Sequence, residues 1–101
     1  MLRIYSVMLQ VVREMRPVLV TIESKDRDLA RQMRRALASM VLNAGEASGS
    51  SGGTRRERYR SARGSAQESQ SGLDAAVALG YVEPVETDLP LIVNTLYKLA
   101  R

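Results

Sequence analysis

Two carboxylates, a glycine-rich turn and a run of arginines are the groups in this chain with the means to do chemistry. The turn and the arginines share one stretch, EASGSSGGTRRERYRSARGS (residues 46–65), which holds four of the seven glycines and five of the arginines. A phosphate-cradling loop needs a Gly-x-x-x-x-Gly-Lys-Ser/Thr run between a strand and a helix. GSSGGT (49–54) has glycines without the lysine and joins two helical patterns, so it reads as a flexible connection over 48–53. Arg56, Arg60 and Arg63 fall on one helical face, with Arg55 and Arg58 beside them. Cations at a helix start oppose its macrodipole, and only Glu57 offsets them nearby. A phosphate backbone would relieve both the dipole and the mutual repulsion. These five arginines are therefore candidate contacts for RNA or DNA. A solvated face is the alternative, because Tyr59, the one aromatic in the cluster, has core spacing and leaves no base-stacking ring there.

The carboxylates are Glu46 and Glu68. Gln32, Arg35, Ser39, Asn43 and Glu46 are spaced three or four apart and form one polar line along a helix. Arg58, Ser61, Ser65, Glu68 and Gly72 form a second line on the next helix. Facing each other, the lines would make a polar network that fixes helix register, with Arg35 pairing Glu68 and Asn43 bonding backbone beside Gly64. A metal or catalytic site on Glu46 and Glu68 is the other reading. The chain has no histidine or cysteine, so it lacks the Glu-x-x-His ligands of bundle di-iron sites and any Ser-His or Cys-His nucleophile. No catalytic residue, metal site or cofactor is expected.

The elements that must position these groups are all helical. The chain's 101 residues are 45% hydrophobic and lack Phe and Trp, so the core is built from Leu, Val, Ile, Met and Ala. Leu2, Tyr5, Leu9, Val12, Met15, Leu19 and Ile22 mark a first helix over about 2–23, kinked at Pro17, which leaves the Arg13 carbonyl without its donor. Ile4, Val7, Val11 and Val18 widen that stripe beyond what one core needs, which points to contact with another subunit. A second helix over 26–47, capped by Ser24 or Asp26, carries Leu29, Met33, Ala36, Met40 and Ala44. Thr54 and Glu57 fit a capping box for a third helix over 54–79, ended by Gly80 and rich in small residues whose glycines imply a closely packed neighbour. A fourth helix, 88–100, has Pro90 in its first turn and Leu91, Ile92, Thr95, Leu96 and Leu99 facing inward. The fold class expected is all-α, an antiparallel up-down four-helix bundle.

QMRRALASMVLNAGEA (32–47), ARGSAQE (62–68) and LDAAVALGYV (73–82) resemble a bacterial four-helix-bundle family first described from intervening sequences in large-subunit ribosomal RNA genes. The accessory variability determinant of diversity-generating retroelements is a relative. Gln32, Arg34, Arg35, Ala36, Ser39, Asn43, Glu46, Ala62, Gly64, Ser65, Glu68, Leu79, Gly80 and Tyr81 match the family's pattern in order and spacing, over about residues 26–82. Gly45 and Ala47 stand where the family usually has Ala and Gly, and Pro17 lies inside the first helix rather than in the following turn. The resemblance implies a homopentamer around a central channel. In the retroelement relative it implies a basic surface that meets nucleic acid and a reverse transcriptase.

The formal charge of +4 agrees with an acidic partner. Two functions are expected from different classes. One is a non-enzymatic homo-oligomeric scaffold whose partner is a protein, encoded nearby; the other is a nucleic-acid-binding accessory protein using the arginines of the third helix. The charged first fifteen residues do not read as a secretory signal, and no apolar run approaches the ~18–20 residues of a membrane span, so the expected location is cytoplasmic.

Overall fold

Four helices make up most of the computed structural model, which describes residues 3–101: α1 (Arg3–Lys25), α2 (Arg27–Ser48), α3 (Gly52–Ala78) and α4 (Leu89–Leu99). The helix start expected at residue 2 lies outside the described residues. α1 packs on α2, α2 on α3, α3 on α4, and α4 closes back on α1, giving an antiparallel up-down bundle with extents of 42 × 22 × 19 Å. Among the described residues there is no strand.

The apolar spacing of α1 puts Ile4, Met8, Val11, Met15, Leu19 and Ile22 in one buried stripe. The helix runs on through Pro17, which is exposed, so the carbonyl its ring cannot bond lies on the wet side. Met8, Met15, Met33 and Met40 are fully or almost fully buried, and their flexible thioethers fill the space that a chain without Phe leaves between helices. Leu91, expected inside, is 51% exposed. Pro90 and Leu91 lie on the outer side of α4's first turn, and Leu89, Ile92 and Leu96 take the core positions instead.

Asp26 is the only residue between α1 and α2. Its extended backbone turns the chain, and its carboxylate caps α2 by accepting from Leu29 N–H at 3.0 Å. The same carboxylate accepts from the Tyr81 hydroxyl at 3.1 Å, while Lys25 Nζ donates to the Tyr81 carbonyl at 3.2 Å. The Asp26 bond holds the Tyr81 phenol above its ordinary pKa of 10.0. Tyr81 is delivered there by a Schellman turn. Gly80 has φ 78°, its N–H donates to Val77 O at 3.0 Å, and Tyr81 N–H donates to Ala76 O at 2.9 Å. The Leu79-Gly80-Tyr81 run thus ties the end of α3 to the α1–α2 junction.

The connection expected over 48–53 is shorter and more ordered than its composition implies. α2 runs to Ser48, and Ser48 Oγ and Ser50 Oγ donate to the Gly45 and Glu46 carbonyls, both at 2.9 Å. Those hydroxyls satisfy helix-end acceptors that water would otherwise take. Gly52, at φ 56°, completes the reversal and α3 begins at once. Thr54 is therefore inside the helix, and the capping box expected from Thr54 and Glu57 does not form. Ser51 holds the N-cap position without a side-chain bond.

The two interior glycines of α3 serve different surroundings. A Cβ on Gly72 would come 2.6 Å from Met33 Cγ, so this glycine lets α2 approach closely. A Cβ on Gly64 would meet nothing within 4 Å. Ser69, fully buried between them in sequence, satisfies its hydroxyl by donating to Ser65 O at 2.9 Å. Gly64→Ala should raise stability by about 0.5–1 kcal/mol, the helix-propensity gain. Gly72→Val should lower it by about 1–3 kcal/mol through overpacking. Denaturant unfolding of the two variants checks both signs.

Candidate functional site

The two polar lines do face each other across α2 and α3, but with different partners from those the spacing implied. Ser65 Oγ donates to Ser39 Oγ at 2.8 Å, and Asn43 Nδ2 donates to the same oxygen at 3.1 Å and to Ser39 O at 2.9 Å. Asn43 thus reaches back one turn within α2 rather than to backbone near Gly64. Glu46 meets Arg58 of α3 at 3.1 Å. Arg35 and Glu68 do not pair. Both are exposed, where hydration and side-chain freedom offset the Coulomb gain. Arg34, the neighbour of Arg35, instead bridges α2 to Glu23 of α1. Gln32 is exposed and shares the wall of a shallow groove with Glu68 and Gly72. Ser39, Asn43 and Ser65 are half-buried, so the network lies at the rim of the helix interface rather than in its core.

Among the described residues, no group of three or more carboxylates could hold a metal ion.

The arginines of α3 lie on the surface, each with a local contact except Arg56. Arg55 Nε donates to Ser50 O at 2.8 Å, Arg58 holds Glu46, and Arg60 Nη1 meets Glu57 at 3.0 Å one turn back. Arg56 makes no ion pair among the described residues. Arg63 lies over the ring of Tyr97 of α4, 5.2 Å from its centroid. The exposed ion pairs are worth no more than about 1 kcal/mol each and yield readily to another anion.

Folding sorts the charges along the bundle. α1 and α3 begin, and α2 finishes, at one end, which gathers Arg3 and the five arginines of α3 against Glu46 and Glu57; the shorter α4 stops short of that end, near the level of Arg63. The other end holds Glu23, Asp26, Asp28, Asp74 and the acidic connection Glu83, Glu86 and Asp88, so that acids outnumber bases there. From Arg58 to Gln67, α3 contains no carboxylate, and from Leu89 onward the chain contains none. Spacing within one helix found the five arginines. Lys98, Arg101 and Tyr97 escaped it because their position beside α3 is a product of the antiparallel packing of α4.

A second surface is apolar. Leu9, Val12 and Leu19 of α1 and Leu37, Val41 and Leu42 of α2 line an open groove, in which Leu42 is 64% exposed; Val20, 65% exposed, lies one turn beyond Arg16 on the same side of α1. The excess width of the α1 stripe is thus real surface on the isolated chain. No helix among the described residues is long and apolar enough to cross a membrane. No protein-family model matches the chain, and neither curated proteins nor solved structures give a significant match.

The polar network gives a graded expectation. Ser65→Ala, which removes the hydroxyl pair between α2 and α3, should cost about 1 kcal/mol. Glu68→Gln, on the same line but unpaired, should stay within about 0.5 kcal/mol of the parent in the same unfolding assay.

Proposed function

We propose that this protein is a non-enzymatic, homo-oligomeric four-helix-bundle scaffold of the bacterial cytoplasm, related to the intervening-sequence family it resembles. Its subunits join through the α1–α2 face, and the assembled ring holds a protein partner encoded nearby. The observation that carries this reading is the apolar surface of Leu9, Val12, Val20, Val41 and Leu42. Chains this small bury a modest share of their surface, and a contiguous apolar face of this kind is what subunit contact covers. The fivefold number comes from the resemblance. Absence of His and Cys supports the non-enzymatic part, since the usual nucleophile-base pairs cannot be assembled. Sedimentation equilibrium should return a mass of five 11.2 kDa chains for the parent. Val20→Glu with Leu42→Glu, both at exposed positions, should return one chain with helical content unchanged. A monomeric parent at micromolar concentration sinks the reading.

The charge sorting favours a second reading, in which the basic end binds RNA or DNA without strong sequence preference. Six cations gather there against two acids, with Lys98 and Arg101 following on from the end of α4, and the nucleic-acid backbone is the polyanion that such a surface suits. Repetition around a ring would add avidity. Arg56→Gln, Arg60→Gln and Arg63→Gln together should weaken single-stranded DNA binding more than tenfold. Lys25→Gln, Arg27→Gln and Arg31→Gln, which remove the same charge from the acidic end, should change it little. Equal losses in the two triple variants would reduce the reading to net charge alone.

A further inference from the structure

We propose that Tyr97 is a base-stacking platform for single-stranded nucleic acid, with Arg56, Arg60 and Arg63 as the track for the phosphates beside it. The proposal rests on the nucleic-acid reading above and gives it a substrate class. A basic helix alone recognises any polyanion; what separates an unpaired strand from a duplex or a polyphosphate is an open aromatic surface on which a base can lie.

The folded chain supplies that surface where the cluster's own sequence does not. Three of the four tyrosines are engaged elsewhere. Tyr59 is buried, Tyr5 lies against Gly45, and Tyr81 donates to Asp26. Tyr97 alone is mainly solvent-exposed, at 56%, and it stands beside the basic face of α3, under the Arg63 guanidinium at 5.2 Å. The guanidinium covers one face of the ring and polarises it, and is itself a planar group on which bases stack, so a base can lie on the free face of the ring or displace the arginine onto its own plane.

Geometry sets the direction of the strand. Arg56, Arg60 and Arg63 recur about once per turn of α3, a repeat of about 5.4 Å along the helix axis, and so form a file of cations leading to the ring. Because α4 ends two residues after Tyr97, the first turns of α3 project past it and leave Arg56 unobstructed from the α4 side. Lys98 follows Tyr97 in α4 and Arg101 lies just past the helix, where the two cations offset the negative end of its dipole, and no acidic side chain follows Leu89. An exposed tyrosine set at the head of a cation file, in a chain otherwise sparing of aromatics, fits a strand whose bases splay from its backbone.

The chain has no tryptophan, so Tyr97→Trp introduces a single reporter at the site. Its emission should be quenched by oligothymidylate and left unchanged by an abasic oligomer of the same length and charge. Tyr97→Leu should weaken oligothymidylate binding by about 5- to 100-fold, the range for loss of one stacked base, and leave abasic binding unaltered. Tyr97→Phe should restore the parent affinity. If Tyr97→Leu binds oligothymidylate as tightly as the parent and the tryptophan reports no quenching, the stacking inference is overturned. The nucleic-acid reading survives that result if the arginine triple variant still loses both oligomers. If the parent binds neither oligomer at low salt, both fail together.

Discussion

Everything distinctive in this bundle depends on the register between α2 and α3. Three pairings set it at successive levels: Met33 over the bare backbone of Gly72, Ser39 with Ser65, and Glu46 with Arg58. The first is steric and favours a glycine at the contact, because a Cβ there would come 2.6 Å from Met33 Cγ and force that side chain to move. The second is a short hydroxyl pair at the rim, and the third is a half-exposed ion pair. Sliding α3 by one turn would lose all three at once. With the register fixed, the short turn at Gly49–Ser51 follows, the arginines of α3 fall at the end of the bundle, and the return of α4 brings Tyr97 under Arg63.

How much of this could be read from the chain follows the range of the interactions. Helices set by apolar spacing were legible, including the passage through Pro17; the close neighbour expected of the glycines in α3 is there at Gly72 but not at Gly64, which faces open space. The Gly80 terminator was legible too, because a left-handed turn needs that residue. Thr54 misled because its capping box is a local pattern, and the hydroxyls of Ser48 and Ser50 shortened the turn before it could be used. The facing of the two polar lines was visible, whereas their partners were not, since Arg35 and Glu68 had the right sequence spacing but stand in water. Tyr97 was invisible as a site residue: nothing in a one-dimensional pattern places it beside Arg63, thirty-four positions away. Contacts of that kind belong to topology.

The apolar and basic surfaces occupy different sides of the molecule. α1 and α2 present the groove, while α3 and α4 present the cation file and the tyrosine. In a bundle whose helices neighbour one another in chain order, those two faces are opposed. The scaffold reading and the nucleic-acid reading therefore do not compete for one surface. Subunits meeting through the first face would leave the second free, and an assembly would multiply weak exposed contacts into useful avidity. The clasp of Asp26, Lys25 and Tyr81 holds the far, acidic end closed in the same structure.

On the nucleic-acid reading, folding concentrates the cations into a surface that binds polyanions. The most direct test of that claim is the salt dependence of single-stranded DNA binding by the unmodified protein. Three to five phosphates engaged per subunit predict log K falling linearly with log salt at a slope of about −2 to −3.5. No binding at low salt, or affinity that stays flat as salt rises, would contradict the claim and leave the arginines of α3 as a solvated face.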